Sequence, residues 1–124
     1  MSPTVDLDPN PGGPTVTDRQ GPVDLAATER LFKALASERR LRILEWLKDP
    51  EAHFPPQEHG DPQIHGACNL FIVAKLGVSQ PAGSRHLKVL VDAGLVLPTR
   101  RKGWTYYRRN EEALAAAAAL VGRI

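Results

Sequence analysis

The segment VSQPAGSRHLKVLVDAG, residues 78–94, has the pattern of a short amphipathic helix. Ser79 is a suitable N-cap, and Pro81 falls in the first turn, where a missing N–H has no cost. The apolar residues Leu87, Leu90 and Val91 recur at three- and four-residue spacing, so one face of the helix is expected to be buried. Gly94 then favours the end of the helix at this position.

The opposite face of this predicted helix carries amide, hydroxyl and cationic groups. Its side chains are Gln80, Ser84, Arg85 and Lys88, and none of the four is a carboxylate. These are the groups that pair with base edges and with phosphates. The segment is therefore suited to lie in the major groove of DNA as a recognition helix.

The flanking sequence completes a winged helix-turn-helix pattern. The apolar run Leu70–Leu76 ends at Gly77, which predicts a first helix and a glycine-containing turn before the recognition helix. Downstream, Leu95–Leu97 and Trp104–Tyr107 are rich in residues that favour strands. The connection between these runs holds Arg100, Arg101, Lys102 and Gly103. This pattern predicts a β-hairpin with a basic tip, which is a wing beside the recognition helix.

Three strings together resemble the ArsR/SmtB family of bacterial winged-helix repressors. They are SQPAGSRHLKVLVDAGLV at 79–96, LFKALASERRLRILEWL at 31–47 and RRKGWTYYRR at 100–109. The similarity covers residues 25 to 124. It implies a mainly helical winged helix-turn-helix with a small β-hairpin wing, a homodimer built by the first and last helices, and binding to double-stranded DNA as a transcription regulator.

We expect two kinds of DNA contact. Ser84 and Arg85 are placed to contact base edges, whereas Lys88 and the wing cations suit phosphates or the minor groove. For His86 the resemblance implies help in DNA contact, while its position at the edge of the buried face favours packing inside the domain equally well. The predicted DNA-binding residues are Ser79, Gln80, Ser84, Arg85, His86, Lys88, Arg100, Arg101, Lys102 and Arg108.

The charge distribution agrees with a DNA-binding surface. The net charge is +2, but residues 85–109 hold seven basic side chains and one acid, Asp92, whereas the rest of the chain holds nine basic and thirteen acidic ones. A segment of +6 beside a body of −4 is the footprint of a protein that binds a polyanion. The aromatic residues of the second wing strand are expected to pack, with Trp104 and Tyr106 covering the sheet and Tyr107 facing elsewhere.

The length of 124 residues allows one domain. We predict a disordered tail at 1–22, rich in proline and glycine, and a winged helix-turn-helix domain at 23–124. No apolar run is long enough to cross a bilayer, and the single cysteine, Cys68, excludes an internal disulfide. Both features suit the reducing cytoplasm.

The first and last helices are predicted to form the dimer. Ser37 with Glu38 opens a second helix in which Trp46 is expected to anchor the core, and Asn110 is expected to cap the last helix. That last helix, EEALAAAAALVGRI, is too apolar for a free surface helix. The predicted dimer residues are Leu25, Leu31, Phe32, Leu114, Ala117, Leu120 and Val121.

Residues 49–67 are predicted to form a loop insertion, because prolines and glycines forbid a long regular element there. The resemblance implies a much shorter connection at this place. The weak candidates for a transition-metal site are His53, His59, His65 and Cys68, but their spacing matches no standard zinc motif. Alternatively the loop packs beneath Phe54 against the body.

The resemblance argues against metal sensing. Cys68 matches the first cysteine of the Cys-x-Cys-Asp-Leu box of metal-sensing members, but Leu70 and Phe71 occupy the second cysteine and acid positions. The last helix has no histidine and no ligand after Glu112, so the family's other metal site is also expected to be absent. Cys68 itself is expected to be a buried apolar residue, with redox chemistry as the alternative.

The leading hypothesis is therefore a dimeric, sequence-specific repressor whose affinity for its operator is changed by an unidentified signal. The alternatives are a metal-responsive sensor that uses the histidines and the cysteine of residues 49–68, and a winged helix used for protein contacts. An enzyme is the class least supported, because the sequence has no nucleophile-and-base pairing, no phosphate-binding glycine loop and no paired carboxylates.

Overall fold

A computed structural model describes residues 22–124, which form seven helices and three strands. In chain order these are α1 (Leu25–Leu35), α2 (Glu38–Trp46), the one-turn helices α3 (Pro50–His53) and α4 (Pro62–His65), β1 (Ala67–Cys68), α5 (Asn69–Leu76), α6 (Gln80–Asp92), β2 (Val96–Arg101), β3 (Trp104–Arg109) and α7 (Glu111–Val121). Helices α5 and α6 form the helix-turn-helix, and strands β2 and β3 form the wing. This confirms the predicted fold class.

The predicted tail at 1–22 lies outside the described residues, apart from Pro22. None of the helices within 22–124 is both long enough and apolar enough to span a membrane.

The long helices begin at capped residues. The Ser37 hydroxyl accepts a hydrogen bond from the amide of Arg40 at 3.3 Å, and the Asn110 side chain accepts one from Ala113 at 3.2 Å. Asp24 caps α1 in the same way. A side-chain oxygen at the N-cap satisfies one of the helix's unpaired amides, and this local chemistry is why the starts of α2 and α7 were predictable.

The core joins the helix-turn-helix to α2 and to the base of the wing. Its most deeply buried large side chains are Ile43, Ile72, Leu87, Leu90, Leu95 and Val96. Trp46 packs against this core, as predicted, and meets the ring of Phe54 edge-on at 6.1 Å. Because Phe54 is itself buried, residues 49–67 are attached to the body through this aromatic pair.

The three strands form one antiparallel sheet in the order β1-β3-β2. Arg100 and Arg101 lie within β2, paired with Thr105 and Trp104, so the prediction that placed them in the connection was wrong. The turn consists of Lys102 and Gly103, both with positive φ, which is the geometry that matches the twist of a hairpin. The prediction also missed β1, because two residues are too short to show an alternating pattern.

Residues 49–67 contain no long regular element, as predicted, but they pack closely on the wing. Gly66 has a φ of +88°, and a Cβ placed on it would clash with the backbone carbonyl of Tyr107. A Cβ on Gly60 would clash with the ring of Tyr106. These two glycines therefore allow the segment to lie against β3, and the segment then leads directly into β1.

The packing of the wing aromatics differs from the prediction. Tyr106 is buried and Trp104 is exposed, while Tyr107 is half-buried against the helical core. Tyr107 faces elsewhere than Trp104 and Tyr106, as predicted, but Trp104 does not cover the sheet. In the structure residues 49–67 cover the Tyr106 face as well, so both faces of β3 carry packed aromatic rings.

Candidate nucleic-acid interface

The recognition helix α6 is held in place by its apolar face and by its cap. Ser79 accepts a hydrogen bond from the amide of Ala82 at 3.3 Å, while Leu87 and Leu90 are buried. Gly83 faces α5 so closely that a Cβ there would lie 2.5 Å from a methyl group of Val73. Sequence reasoning missed this role of Gly83, although a lone glycine inside a helical pattern is a known sign of close packing.

The opposite face of α6 is exposed and keeps its polar groups available. Gln80, Ser84, Arg85 and Lys88 are all exposed, so the structure brings together the helix residues predicted to contact base edges and phosphates. The Gln80 amide donates to the Ser84 hydroxyl at 3.2 Å. Lys88 pairs with Asp92 at 3.1 Å, and such an exposed pair contributes little free energy.

Arg85 is the least constrained cation of this face. Within residues 22–124 its guanidinium has no hydrogen bond or ion pair in the structure, so all five of its N–H donors are free for a ligand. A guanidinium can pair with guanine through two parallel hydrogen bonds. The geometry of α6 thus presents a free bidentate donor at the centre of its exposed face.

The wing follows directly from the end of α6. Gly94 adopts a φ of +76°, and the amide of Leu95 donates to the carbonyl of Leu90 at 2.9 Å. These contacts fix the direction in which β2 leaves the recognition helix. The four predicted wing cations, all exposed, are Arg100, Arg101, Lys102 and Arg108.

The wing cations are not equally free. Arg101 donates through Nε to the backbone carbonyl of His59 at 3.0 Å, so it links the wing to residues 49–67. Arg100 donates to the hydroxyl of Thr105 at 3.2 Å. Arg109, which contributes to the positive charge of the segment, is structural, because it bonds the Leu44 carbonyl at 3.0 Å and pairs with Glu111.

His86 lies beside the exposed face and is bound within the domain. Its Nδ1 accepts a hydrogen bond from Nη1 of Arg40 at 3.0 Å, which assigns the remaining ring proton to Nε2. Burial lowers the pKa of His86, and the positive charge of Arg40 lowers it further. Arg39 and Arg85 act on the pKa in the same direction. The neutral imidazole is therefore favoured near pH 7.

Arg40 connects the recognition helix to α1. Besides His86, its guanidinium donates to the carbonyl of Ala34 at 2.6 Å and to that of Lys33 at 3.1 Å. The sequence gives no indication of these contacts, since His86 is forty-six residues away from Arg40 along the chain.

The four candidate metal ligands are not brought together as one group. His53 is exposed, His59 lies beside Glu58 at 3.6 Å, and His65 accepts a hydrogen bond from the amide of Asp61 at 2.9 Å. Cys68 is buried, as expected, and contacts the side chain of Asn69. Among the residues that the structure describes, no group of three or more histidine, cysteine or acidic side chains is arranged to hold a metal ion.

The predicted dimer residues leave apolar surface on α1 and α7. Leu25 is 70% exposed, Phe32 38% and Val121 51%, while Leu31 and Leu114 pack partly against the core of their own chain. Ala117 and Leu120 are half-buried. An open apolar groove of about 390 Å³ lies between α1 and the C-terminal residue. Ile124, which follows α7, thus lies beside α1 and lines this groove with it.

Comparisons with known proteins agree with this architecture. Residues 71–97 match a family model described as bacterial regulatory protein, arsR family. The uncharacterized HTH-type transcriptional regulator YbzH of Bacillus subtilis (strain 168) is 44% identical over 88 residues, covering 71% of this chain and 88% of that protein. The arsenical resistance operon repressor of Escherichia coli (strain K12) is 32% identical over 92 residues, which is 74% of this chain and 67% of that protein.

A solved structure shows the same likeness. The solution structure of the homodimeric winged helix-turn-helix DNA-binding domain (fragment 1–100) of Mb0332 from Mycobacterium bovis, a possible ArsR-family transcriptional regulator, has a TM-score of 0.54 to this chain. It is 28% identical, and the match covers 79% of this chain and 82% of that one.

Proposed function

The chain belongs to the ArsR family of bacterial transcriptional regulators, and from that premise we propose that it represses transcription as a homodimer bound to a near-palindromic operator. Membership of this family identifies the chain as a transcriptional regulator with a winged helix-turn-helix DNA-binding domain. The dimer, the repression and the individual contact residues are the proposal. The single observation that carries it is the exposed, carboxylate-poor face of α6 with the cationic wing beside it.

The proposed contacts divide into those that specify sequence and those that add affinity. Arg85 pairs with a guanine edge and Ser84 contacts a neighbouring base or phosphate, since both side chains lie on the exposed face. Ser79, Gln80 and Lys88 position the helix through contacts to the DNA backbone. The wing residues Arg100, Arg101, Lys102 and Arg108 contact phosphates. His86 acts indirectly, by holding Arg40 against the recognition helix.

The proposed dimer uses α1 and α7. Both helices carry exposed apolar residues, which we assign to one dimer surface, and a neighbouring structure of the same fold is a homodimer. A two-fold axis through this surface would place two recognition helices about one DNA turn apart, roughly 34–36 Å. We propose one domain at 23–124 as the unit that dimerises, and the cytoplasm, where the chromosome lies, as its location.

The proposal includes neither an arsenic response nor an enzymatic activity. The Escherichia coli relative is named as an arsenical repressor, but here Leu70 and Phe71 follow Cys68 at the box positions of a second thiolate and an acid. The relatives found are regulators, which supports a non-enzymatic role.

The proposed role of Arg85 is tested by fluorescence anisotropy on an operator selected from a random duplex pool. Arg85→Ala is expected to weaken operator binding by about 5- to 150-fold, because one bidentate base contact contributes about 1–3 kcal/mol. Lys48→Ala is the charge-matched control, since Lys48 lies outside the helix-turn-helix and the wing and pairs with Glu45.

Binding by Arg85→Ala that equals that of the wild type would contradict the proposed contact. If Arg85→Ala and Lys88→Ala together also leave DNA binding unchanged, the winged helix serves protein contacts instead.

A further inference from the structure

A small cavity lies where three parts of the chain meet. It has a volume of about 190 Å³ and is bordered by residues 56–59, by the start of α5 and by strand β3. Its apolar walls include Leu70, Phe71 and Trp104, and its lining also includes Cys68, His59 and Tyr106. Leu70 and Trp104 are each 41% exposed, so the apolar walls continue to the surface.

Tyr106 lines this cavity, and its hydroxyl is a polar group without a partner among the residues that the structure describes. Tyr106 is 97% buried, yet within residues 22–124 its hydroxyl has no hydrogen-bond partner in the structure. A buried hydroxyl without a partner is costly, and such groups in native proteins generally meet a ligand or an ordered water.

The neighbouring polar groups are already paired. The Gln57 side-chain oxygen accepts from the amide of Cys68 at 2.8 Å, and its nitrogen donates to the carbonyls of Gly60 and Gly66 at 3.2 and 3.1 Å. Within residues 22–124, the unpaired hydroxyl of Tyr106 therefore distinguishes the cavity from the rest of this region.

We propose that the cavity binds a small, neutral aromatic molecule that carries one hydrogen-bonding group, which pairs with the Tyr106 hydroxyl. The volume sets the size, because an apolar cavity of about 150 Å³ accommodates benzene, whereas drug-sized ligands need about 300 Å³ or more. The aromatic rings of Phe71 and Trp104 favour a flat ring. An anion is disfavoured, since Glu58 lies at the edge of the cavity.

The position of the cavity connects the ligand to DNA binding, and this step rests on the proposed function. The cavity is bordered by α5, which packs against the recognition helix, and by β3 of the wing. His59 also borders it, and its carbonyl accepts the hydrogen bond from Arg101 of the wing. A ligand that moves residues 56–59 or Trp104 thus shifts the wing relative to α6. This shift changes the affinity for the operator, so that the ligand is the signal.

The ligand site is tested first without DNA. Phenol and toluene have nearly the same shape, but only phenol can pair with the Tyr106 hydroxyl. Each is titrated into the full-length wild-type protein and into Tyr106→Phe, which keeps the ring, while the indole N–H signals of both tryptophans are followed by NMR. Trp46 is the internal control, because it does not line the cavity.

We expect phenol to shift the Trp104 signal with a dissociation constant on the order of 1 mM, and toluene to bind about two- to tenfold more weakly. Tyr106→Phe should remove this difference. The proposal is overturned if phenol leaves the Trp104 signal unchanged, or if Tyr106→Phe keeps the full preference for phenol.

Operator binding is then measured with and without phenol. A change in operator affinity that disappears in Tyr106→Phe supports the signalling role, and an unchanged affinity overturns that role. A protein that binds phenol but prefers no DNA sequence contradicts the proposed function while leaving the ligand site intact.

Discussion

The exposed face of α6 and residues 49–67 are both rich in polar groups, but they use them in opposite ways. On α6, Arg85 is unpaired within the described chain, and the Lys88–Asp92 pair is exposed to solvent. In residues 49–67, Gln57 makes three hydrogen bonds to the surrounding backbone, and His65 is bonded to Asp61. The exposed side chains of α6 remain accessible to a ligand, whereas the part-buried bonds of Gln57 hold the fold.

Two glycines with positive φ give the largest expected contrast between these regions. Gly66→Ala should destabilise the protein by about 4 kcal/mol, because the new Cβ clashes with the backbone of Tyr107 and disrupts the pairing of β1 with β3. Gly77→Ala, in the turn of the helix-turn-helix, should cost about 1 kcal/mol, since nothing lies within 4 Å of its new Cβ and only the backbone strain remains. Urea denaturation measures both. Equal losses would mean that residues 49–67 do not pack on the wing as described.

Two glutamines give an intermediate effect. Gln57→Ala should lower the free energy of unfolding by about 2 kcal/mol, because the amide of Cys68 and the carbonyl of Gly66 lose their partner. Gln80→Ala removes one exposed hydrogen bond to Ser84 and should leave stability within about 0.5 kcal/mol.

DNA binding should show the reverse order for the same two variants. At a temperature where both variants are folded, Gln80→Ala should weaken operator binding more than Gln57→Ala does. The comparison fails if Gln80→Ala is the more destabilising variant in urea.

The smallest expected effect is a pH dependence from His86. Its pKa is lowered in the folded state by burial and by Arg40, so the unfolded chain binds the proton at higher pH than the folded one. The contribution of His86 to stability is therefore fully present above the usual imidazole pKa of about 6.5 and is lost as the pH falls below it.

His86→Gln should make the loss of stability over this pH range smaller, as measured by thermal unfolding at each pH. His53→Gln is the control, because His53 is exposed. A pH profile of His86→Gln that coincides with the wild-type profile would show that the protonation of His86 does not affect the stability of the protein.

The sequence predicted the parts of the fold whose causes are local. Ser79, the apolar spacing of Leu87 and Leu90, and the exposed polar face of α6 all act within one helix, so their pattern is visible in a window of seventeen residues. The hairpin was also predictable, although its strands extend further than expected, to Arg101 on one side and Arg109 on the other.

Long-range contacts explain what the sequence did not predict. Arg40 connects the recognition helix to α1, because its guanidinium bonds both His86 and the carbonyl of Ala34. No local sequence pattern around Arg40 predicts these two partners. The packing of Tyr106 depends on Gly60, which allows residues 49–67 to lie against its ring. A glycine in a proline-rich loop indicates a turn as readily as a close approach of the backbone to another group. The contact between Gly60 and the ring of Tyr106 therefore could not be predicted from the sequence.

The central claim, that α6 and the wing together bind duplex DNA with sequence preference, is tested most directly by one titration. Anisotropy of the selected operator and of a shuffled duplex is followed between about 50 and 200 mM salt. We predict that the wild-type protein prefers the operator by about 10³-fold or more, and that both affinities fall steeply with salt because several phosphates are neutralised. Equal affinities for the two duplexes at every salt concentration would contradict the claim.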